Sequence, residues 1–152
     1  MNGATIGVRL IDDHVVVGEG LRALLERQEG VTVVAEAGSV DDAVALDIRA
    51  DVVVADLMLP DERGAEVVRR IKQRHPDAAV LVLTKVDNPT DVQMCLAAGA
   101  SGYLLKETAS TELVDAVRRV AAGSDYLHPR LAPRSLGGAT RPVASGRVRS
   151  TT

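Results

Sequence analysis

The chain has 152 residues, of which 46% are apolar and 26% charged, values that suit one globular domain with a short extension. Cys95 is the single cysteine, which excludes an internal disulfide and a cysteine-based zinc site; no membrane-spanning stretch or signal peptide is evident, so we expect a cytoplasmic protein. The net charge of −3 is unevenly distributed, because residues 129–152 contain five Arg and no acidic residue. Residues 1–128 therefore contain 13 basic and 21 acidic residues, a net charge of about −8. This negative charge argues against nucleic-acid binding by residues 1–128.

Short runs of aliphatic and β-branched residues recur along the chain and predict the strands of a buried parallel sheet. In chain order these predicted strands are Ile6–Ile11, Val31–Glu36, Asp51–Ala55, Ala79–Leu83 and Ser101–Leu105. Each is followed by apolar residues at helical spacing, which predict helices around residues 17–25, 40–44, 67–71, 92–96 and 113–121. Residue types that commonly begin and end helices agree with these predictions. Ser39 and Asn88-Pro89 stand at predicted helix starts, and Gly30, Gly99 and Gly123 stand at predicted helix ends.

Five such strand–helix units predict an α/β fold, with a doubly wound five-stranded parallel sheet and right-handed crossovers. We assign residues 1–131 to this domain. Residues 132–152 are rich in Gly, Ser, Thr, Ala, Pro and Arg, and they are too poor in large apolar residues to fold alone. We therefore expect a disordered tail or an interdomain linker over 132–152.

Chemically active side chains follow four of the five predicted strands. Because the carboxyl ends of parallel strands share one edge of the sheet, we expect these groups to converge there. They are Asp12 and Asp13 after the first strand, Asp56 after the third, Thr84 after the fourth and Lys106 after the fifth. Three carboxylates at one edge call for a cation such as Mg²⁺, and an ionised Asp can attack phosphorus. Taken singly, each of these residues is more often a helix cap, a turn residue or a solvated lysine, and only the joint pattern indicates a site.

The ordered set of motifs resembles the receiver domain of two-component response regulators, of the NarL/FixJ (LuxR-type) family. The resemblance covers residues 5 to about 131. It rests on Leu-Ile-Asp-Asp-His at 10–14, Val-Val-Val-Ala-Asp-Leu-Met-Leu-Pro at 52–60, Val-Leu-Val-Leu-Thr at 80–84 and Ala-Gly-Ala-Ser-Gly-Tyr-Leu-Leu-Lys at 98–106. It implies a flavodoxin-like or CheY-like (βα)5 receiver fold.

The resemblance also implies roles for single residues. Asp56 would be the phospho-acceptor. Asp13 would bind Mg²⁺ directly and Asp12 largely through water, with Asp56 and the backbone carbonyl of Met58 as further ligands. Thr84 and Lys106 would contact the phosphoryl group.

Tyr103 would be the aromatic switch of such a receiver, turning inward when Thr84 moves toward the phosphoryl group. The face formed by the fourth predicted helix, the fifth strand and the fifth helix would then repack. The alternative is that Tyr103 is only a part-exposed strand residue.

The sequence departs from the family pattern in three places. Residues 61–64 (Asp-Glu-Arg-Gly) replace the usual turn after the acceptor, and Lys85 stands where a small residue is usual. The family also normally carries a helix-turn-helix domain that binds DNA, and residues 132–152 are too short and polar to form one.

We therefore expect a phospho-accepting switch, not a turnover enzyme, that receives its phosphoryl group from a sensor histidine kinase. It could be the receiver part of a DNA-binding transcription regulator, or a single-domain receiver that acts by protein contact. We expect no DNA binding by these 152 residues alone; dimerisation is left open. A phosphatase with an aspartate nucleophile is a remote alternative, because the Asp-x-Asp motif of such enzymes is missing at both Asp12 and Asp56.

Overall fold

The computed structural model describes residues 5–12, 15–39, 42, 49–56, 64–84 and 89–127. Asp13, Met58, Lys85 and the predicted tail at 132–152 lie outside these residues, so the expectations placed on them remain predictions. Within the described residues, no helix combines the length and the apolar character that crossing a membrane requires.

Within the described residues the sheet contains six strands, and every neighbouring pair is parallel. The strands are β1 (Ile6–Ile11), β2 (Val31–Ala37), β3 (Val52–Asp56), β4 (Ala79–Thr84), β5 (Gly102–Leu105) and β6 (Tyr126–Leu127). Their order across the sheet is β2-β1-β3-β4-β5-β6. The chain therefore reverses its winding direction between β1 and β3, which is where open α/β sheets commonly place their functional sites.

The helices of the described residues are α1 (Val15–Glu26), α2 (Gly64–Arg74), α3 (Pro89–Ala97) and α4 (Ala109–Ala121), with a 3₁₀ helix at Lys106–Thr108. The second predicted helix falls largely outside these residues. Its start signal is nevertheless confirmed, because Ser39 Oγ accepts a hydrogen bond from the Asp42 backbone N–H at 3.1 Å. The stop signals are confirmed as well, since Gly30, Gly99 and Gly123 all have positive φ.

Helices cover both faces of the sheet, which explains why β3 and β4 are apolar on both sides. On one face, Val8 and Leu10 pack with residues of α1 and α4. On the other face, Val53 and Val82 pack with residues of α2 and α3. Every residue of β3 is buried, including its last, Asp56. A fully enclosed strand thus delivers a carboxylate to the rim of the sheet.

The predicted count of five strands was one too low. β6 contains only Tyr126 and Leu127, and two residues are too few to show an apolar pattern. The backbone N–H of Tyr126 donates to Ser101 O at 2.9 Å, where the chain joins the edge of β5.

β1 carries a buried charged residue that its apolar pattern did not predict. Arg9 is 1% exposed, and its Nη1 lies 3.0 Å from Nε2 of His75, just after α2. The β1–β2 register shifts between Val8 and Arg9. Because burying a charge is costly without hydrogen-bonding partners, the contact with His75 helps to satisfy this side chain.

Candidate functional site

Four neighbouring strands, β1, β3, β4 and β5, bring the predicted site residues to one rim of the sheet. Asp12 is the first residue after β1, and Asp56 and Thr84 are the last residues of β3 and β4. Lys106 directly follows β5. The structure therefore places these four residues at adjacent strand ends, as the alternation of strands and helices predicted.

Asp12 is held in place by the neighbouring edge strand. Its backbone N–H donates to Ala37 O, at the end of β2, over 2.9 Å. The half-buried carboxylate of Asp12 is close enough to Asp56 to interact with it electrostatically. The rim thus carries two adjacent acidic groups within the described residues.

Asp56 is almost completely enclosed, with its side chain 1% exposed. Burial raises the pKa of this carboxyl above its ordinary value, and the nearby Asp12 raises it further, whereas Lys106 acts in the opposite direction. Oδ1 of Asp56 is buried and has no hydrogen-bond partner in the part of the chain that the structure describes. Such a buried oxygen is costly to leave unsatisfied, which is typical of a site built for a ligand.

Lys106 supplies the positive charge next to this carboxylate. Its Nζ lies 2.9 Å from Oδ2 of Asp56, and its side chain is 13% exposed. Lys106 begins the short 3₁₀ helix, where its carbonyl accepts a hydrogen bond from the Ala109 N–H. Thr108 Oγ1 donates to Leu105 O at 3.1 Å. These local bonds fix the turn that aims the lysine back across the end of the sheet.

Tyr103 and Thr84 are joined by a side-chain hydrogen bond between β5 and β4. Tyr103 is 3% exposed, so the alternative that it is a part-exposed strand residue is wrong. Burial, together with nearby Cys95, raises the pKa of its hydroxyl to about 12. The tyrosine is therefore inward and neutral in this structure, with its hydroxyl directed at the Thr84 side chain.

The donor set suits a hard divalent cation. Carboxylate oxygens are the ligands that Mg²⁺ prefers, and Asp12 and Asp56 repel each other without a cation between them. Among the described residues, no group of three His, Cys, Asp or Glu side chains converges on a metal position. The remaining expected ligands, Asp13 and the Met58 carbonyl, belong to segments that the structure does not describe.

Sequence reasoning missed the surroundings of Tyr103. Cys95 of α3 belongs to the same buried cluster, and Leu127 of β6 packs against that cluster. The sequence contained one signal of a special role for Tyr103, because the chain has only two tyrosines and no Phe or Trp. In the structure the second tyrosine, Tyr126, lies in β6, beside the strand that contains Tyr103. An aromatic residue in a chain so poor in them suggests a specific packing role.

Comparison with known proteins agrees with this geometry. A family model described as "Response regulator receiver domain" matches residues 8–118. The transcriptional regulatory protein DegU of Brevibacillus brevis is 38% identical over 133 residues, which cover 86% of this chain and 56% of DegU. The DNA-binding transcriptional activator DevR/DosR of Mycobacterium tuberculosis is 42% identical over 129 residues, covering 84% and 59% of the two chains. The chain therefore spans less than two thirds of the length of these relatives.

A solved structure gives the same result. A LuxR-family two-component response regulator from Aurantimonas sp. SI85-9A1 superposes with a TM-score of 0.78 at 38% identity, over 84% of this chain and 93% of that one. The fold predicted from the motifs, a flavodoxin-like receiver, is thus confirmed. The chain belongs to the response regulator receiver domain family, and its similarity to LuxR-family members confirms the NarL/FixJ type that its motifs indicated.

Proposed function

We propose that Asp56 accepts a phosphoryl group from the phosphohistidine of a sensor kinase, and that this modification switches the protein between two states. The observation that carries the proposal is the buried Asp56 carboxylate, paired with Lys106 and bordered by Asp12. Desolvation and a specific charged partner together are typical of a reactive group.

In the proposed reaction, an oxygen of Asp56 attacks phosphorus while the bond from phosphorus to the histidine nitrogen breaks. The electron pair of that bond stays with the imidazole. Attack requires the ionised carboxylate, and Lys106 at 2.9 Å favours ionisation against the effect of burial. The ammonium of Lys106 and the hydroxyl of Thr84 would then donate to the oxygens of the transferring group.

Asp12, Asp13, Asp56 and the carbonyl of Met58 would hold Mg²⁺. The bound ion would neutralise negative charge on the phosphoryl oxygens and on the clustered carboxylates. The buried Oδ1 of Asp56 supports this assignment.

The same residues support a switch and not a turnover enzyme. A phosphoryl group adds about −1.5 to −2 charges beside Lys106 and Thr84. Thr84 is bonded to Tyr103, so a change at Asp56 can reach β5 through two neighbouring side chains. The result would be a population shift between two arrangements of that side of the domain.

The output that fits best is control of transcription by a longer protein that contains this domain. The similarity to DevR/DosR, which is named as a DNA-binding transcriptional activator, supports this assignment. The alternative is a single-domain receiver that acts by protein contact. Reading the source gene past codon 152 separates the two: an open frame encoding a helix-turn-helix supports the first, and a stop codon supports the second.

Phosphorylation is tested by incubating the protein with phosphoramidate and Mg²⁺ and measuring its intact mass. One added phosphoryl group gives a shift of about 80 Da. Asp56→Asn should abolish the shift, and Asp77→Asn, at an exposed turn residue, should leave it unchanged. Labelling that persists in Asp56→Asn would show that another residue is the acceptor.

A further inference from the structure

The edge of β5 is covered by a segment of the same chain. β6 pairs with β5 in parallel, with Gly102 opposite Tyr126 and Tyr103 opposite Leu127. The two-residue strand follows α4 after a turn at Gly123. An edge strand normally presents unpaired backbone groups, so β6 protects this edge from other partners.

Gly102 provides the space that this pairing needs. A Cβ at position 102 would lie 2.8 Å from the carbonyl oxygen of Tyr126 and 2.6 Å from Cδ1 of Leu81. Backbone atoms cannot approach a real side chain so closely. The absence of a side chain at Gly102 therefore lets β6 reach the sheet.

The two residues of β6 are anchored on opposite faces of the sheet. Tyr126 packs on the α4 side, where its hydroxyl lies 3.1 Å from Oε1 of Glu112 and its ring lies 5.5 Å from the guanidinium carbon of Arg119. Leu127 packs against the opposite cluster, the one that contains Tyr103. These contacts hold Leu127 beside Tyr103 on the same face.

Tyr103 connects this docked strand to the phosphorylation site. It bonds to Thr84 on its β4 side and has Leu127 as its neighbour on its β6 side. A rotation of Tyr103 away from Thr84, toward β6, would need the space beside β5 where Leu127 lies. Docked β6 therefore keeps Tyr103 inward, and Tyr103 in turn keeps the Thr84 hydroxyl in a fixed position.

We propose that docking of the β6 segment (Tyr126–Leu127) on β5 and phosphorylation of Asp56 stabilise each other, with Leu127 as the positioning residue that acts through Tyr103 and Thr84. The inference rests on the proposed function of Asp56. A hydroxyl can take part in two hydrogen bonds, so Thr84 can keep its contact with Tyr103 while it contacts the phosphoryl group. A pre-positioned Thr84 stabilises that group without paying the entropy of ordering itself.

The coupling gives the segment after α4 a signalling role. Two paired residues at a sheet edge form a weak element that can open without unfolding the domain. Because coupling between two sites is reciprocal, a phosphoryl group that is stabilised by docked β6 must also hold β6 more firmly. Any part of the protein that follows residue 127 would then be held more tightly against the domain when Asp56 is phosphorylated than when it is not.

The first test uses Leu127→Ala, with Val34→Ala as the matched control. Val34 is a part-exposed valine of β2, at the opposite edge of the sheet. After phosphorylation and removal of the donor, intact mass follows the loss of the phosphoryl group at fixed Mg²⁺. We expect loss to be about five-fold faster in Leu127→Ala, the low end of typical coupling between sites, and unchanged in Val34→Ala. Leu127→Ile, which keeps the volume of the side chain, should restore the slow rate.

The second test measures hydrogen exchange at the Tyr126 amide, which is bonded to Ser101 O. In the unaltered protein, phosphorylation should slow this exchange by about five-fold, the low end of typical coupling between two sites. Equal exchange in both states, or equal phosphoryl lifetimes in Leu127→Ala and the unaltered protein, would overturn the coupling while the proposed function stands. Failure of the unaltered protein to become phosphorylated would overturn both.

Discussion

Lys106 Nζ lies 2.9 Å from Asp56 Oδ2, although Lys106 follows β5 and Asp56 ends β3, with the whole of β4 between them. The lysine side chain must therefore cross the end of β4, where Thr84 stands. This crossing brings the amine and the carboxylate together next to the strand end that carries Thr84. We therefore expect a ligand bound at Asp56 to contact Lys106 directly and to lie close to Thr84.

Replacing Lys106 by Met keeps most of the side-chain volume and removes the charge. We expect phosphorylation by phosphoramidate to slow by about 100-fold, the usual cost of losing one pre-positioned donor to a developing anion. The rate is measured by intact mass at fixed Mg²⁺. Arg69→Met, which removes a cation from the exposed side of α2, is the control and should react normally. A rate in Lys106→Met within two-fold of the normal rate would show that Lys106 does not take part in phosphoryl transfer.

The buried carboxylate of Asp56 should cost the fold stability when no cation is present. Its Oδ1 lacks a hydrogen-bond partner within the described residues, and its neighbour Asp12 repels it. Asp56→Asn removes the charge and adds donors, so we expect the free energy of unfolding to rise by about 1 kcal/mol in metal-free buffer. Urea denaturation in EDTA measures the change. A less stable variant would mean that the Lys106 pairing outweighs the desolvation of Asp56.

The position of the site could be predicted because the ends of strands can be recognised in the sequence. Apolar runs end at Ile11, Ala55 and Leu83, and the next residue in each case is polar. The parallel sheet then brings those polar residues together without further information. For this reason the sequence alone predicts that Asp12, Asp56, Thr84 and Lys106 lie at one edge of the sheet.

Contacts between distant segments could not be predicted in the same way. Arg9 and His75 are 66 residues apart, and a charged residue in a strand normally indicates an exposed position. β6 is too short to produce a periodic pattern. The bond between Tyr103 and Thr84 depends on side-chain rotation, which no spacing in the sequence reveals.

Magnesium should stabilise the folded protein by binding at the acidic rim. Binding to the folded state alone raises the free energy of unfolding by about 2.7 kcal/mol at 100 times the dissociation constant. We expect the melting temperature to rise as Mg²⁺ is added and to stay constant in Asp13→Ala. Asp125→Ala, at an exposed residue outside the rim, is the control and should keep the response. A melting temperature that ignores Mg²⁺ in the unaltered protein would argue against a metal site.

Cys95 should react slowly while the protein is folded. It is 1% exposed, and burial, with a smaller effect of Asp91, raises the pKa of its thiol to about 11. Since the thiolate is the nucleophile, DTNB at pH 8 should label the folded protein far more slowly than the urea-unfolded protein. Rapid labelling of folded protein would reveal frequent opening of α3.

The same shift has a consequence for stability at high pH. The unfolded thiol ionises near its ordinary pKa of about 8.5, whereas the folded thiol stays protonated until about 11. The free energy of unfolding should therefore fall as pH rises from 9 to 11, because unfolding releases a proton there. Cys95→Ala should show a smaller fall over this range, measured by urea denaturation.

Gly102→Ala tests how closely β6 and the core approach β5. The added Cβ would meet Cδ1 of Leu81 at 2.6 Å and the carbonyl oxygen of Tyr126 at 2.8 Å. Leu81 is fully buried and has little room to move, so the readier response is displacement of β6. We expect the variant to lose about 1–3 kcal/mol of stability, the usual range for overpacking.

The matched control is Gly20→Ala in α1, where an added Cβ meets none of the described residues within 4 Å. Because alanine favours helix over glycine, this variant should gain up to about 1 kcal/mol. Hydrogen exchange at the Tyr126 amide then identifies the source of the loss in Gly102→Ala. Faster exchange there, with normal protection of β3, would show that β6 has been displaced while the core remains intact. Uniformly faster exchange across the sheet would instead mean that the core around Leu81 rearranges to accommodate the added Cβ. In that case β6 stays in place and the whole domain becomes less stable.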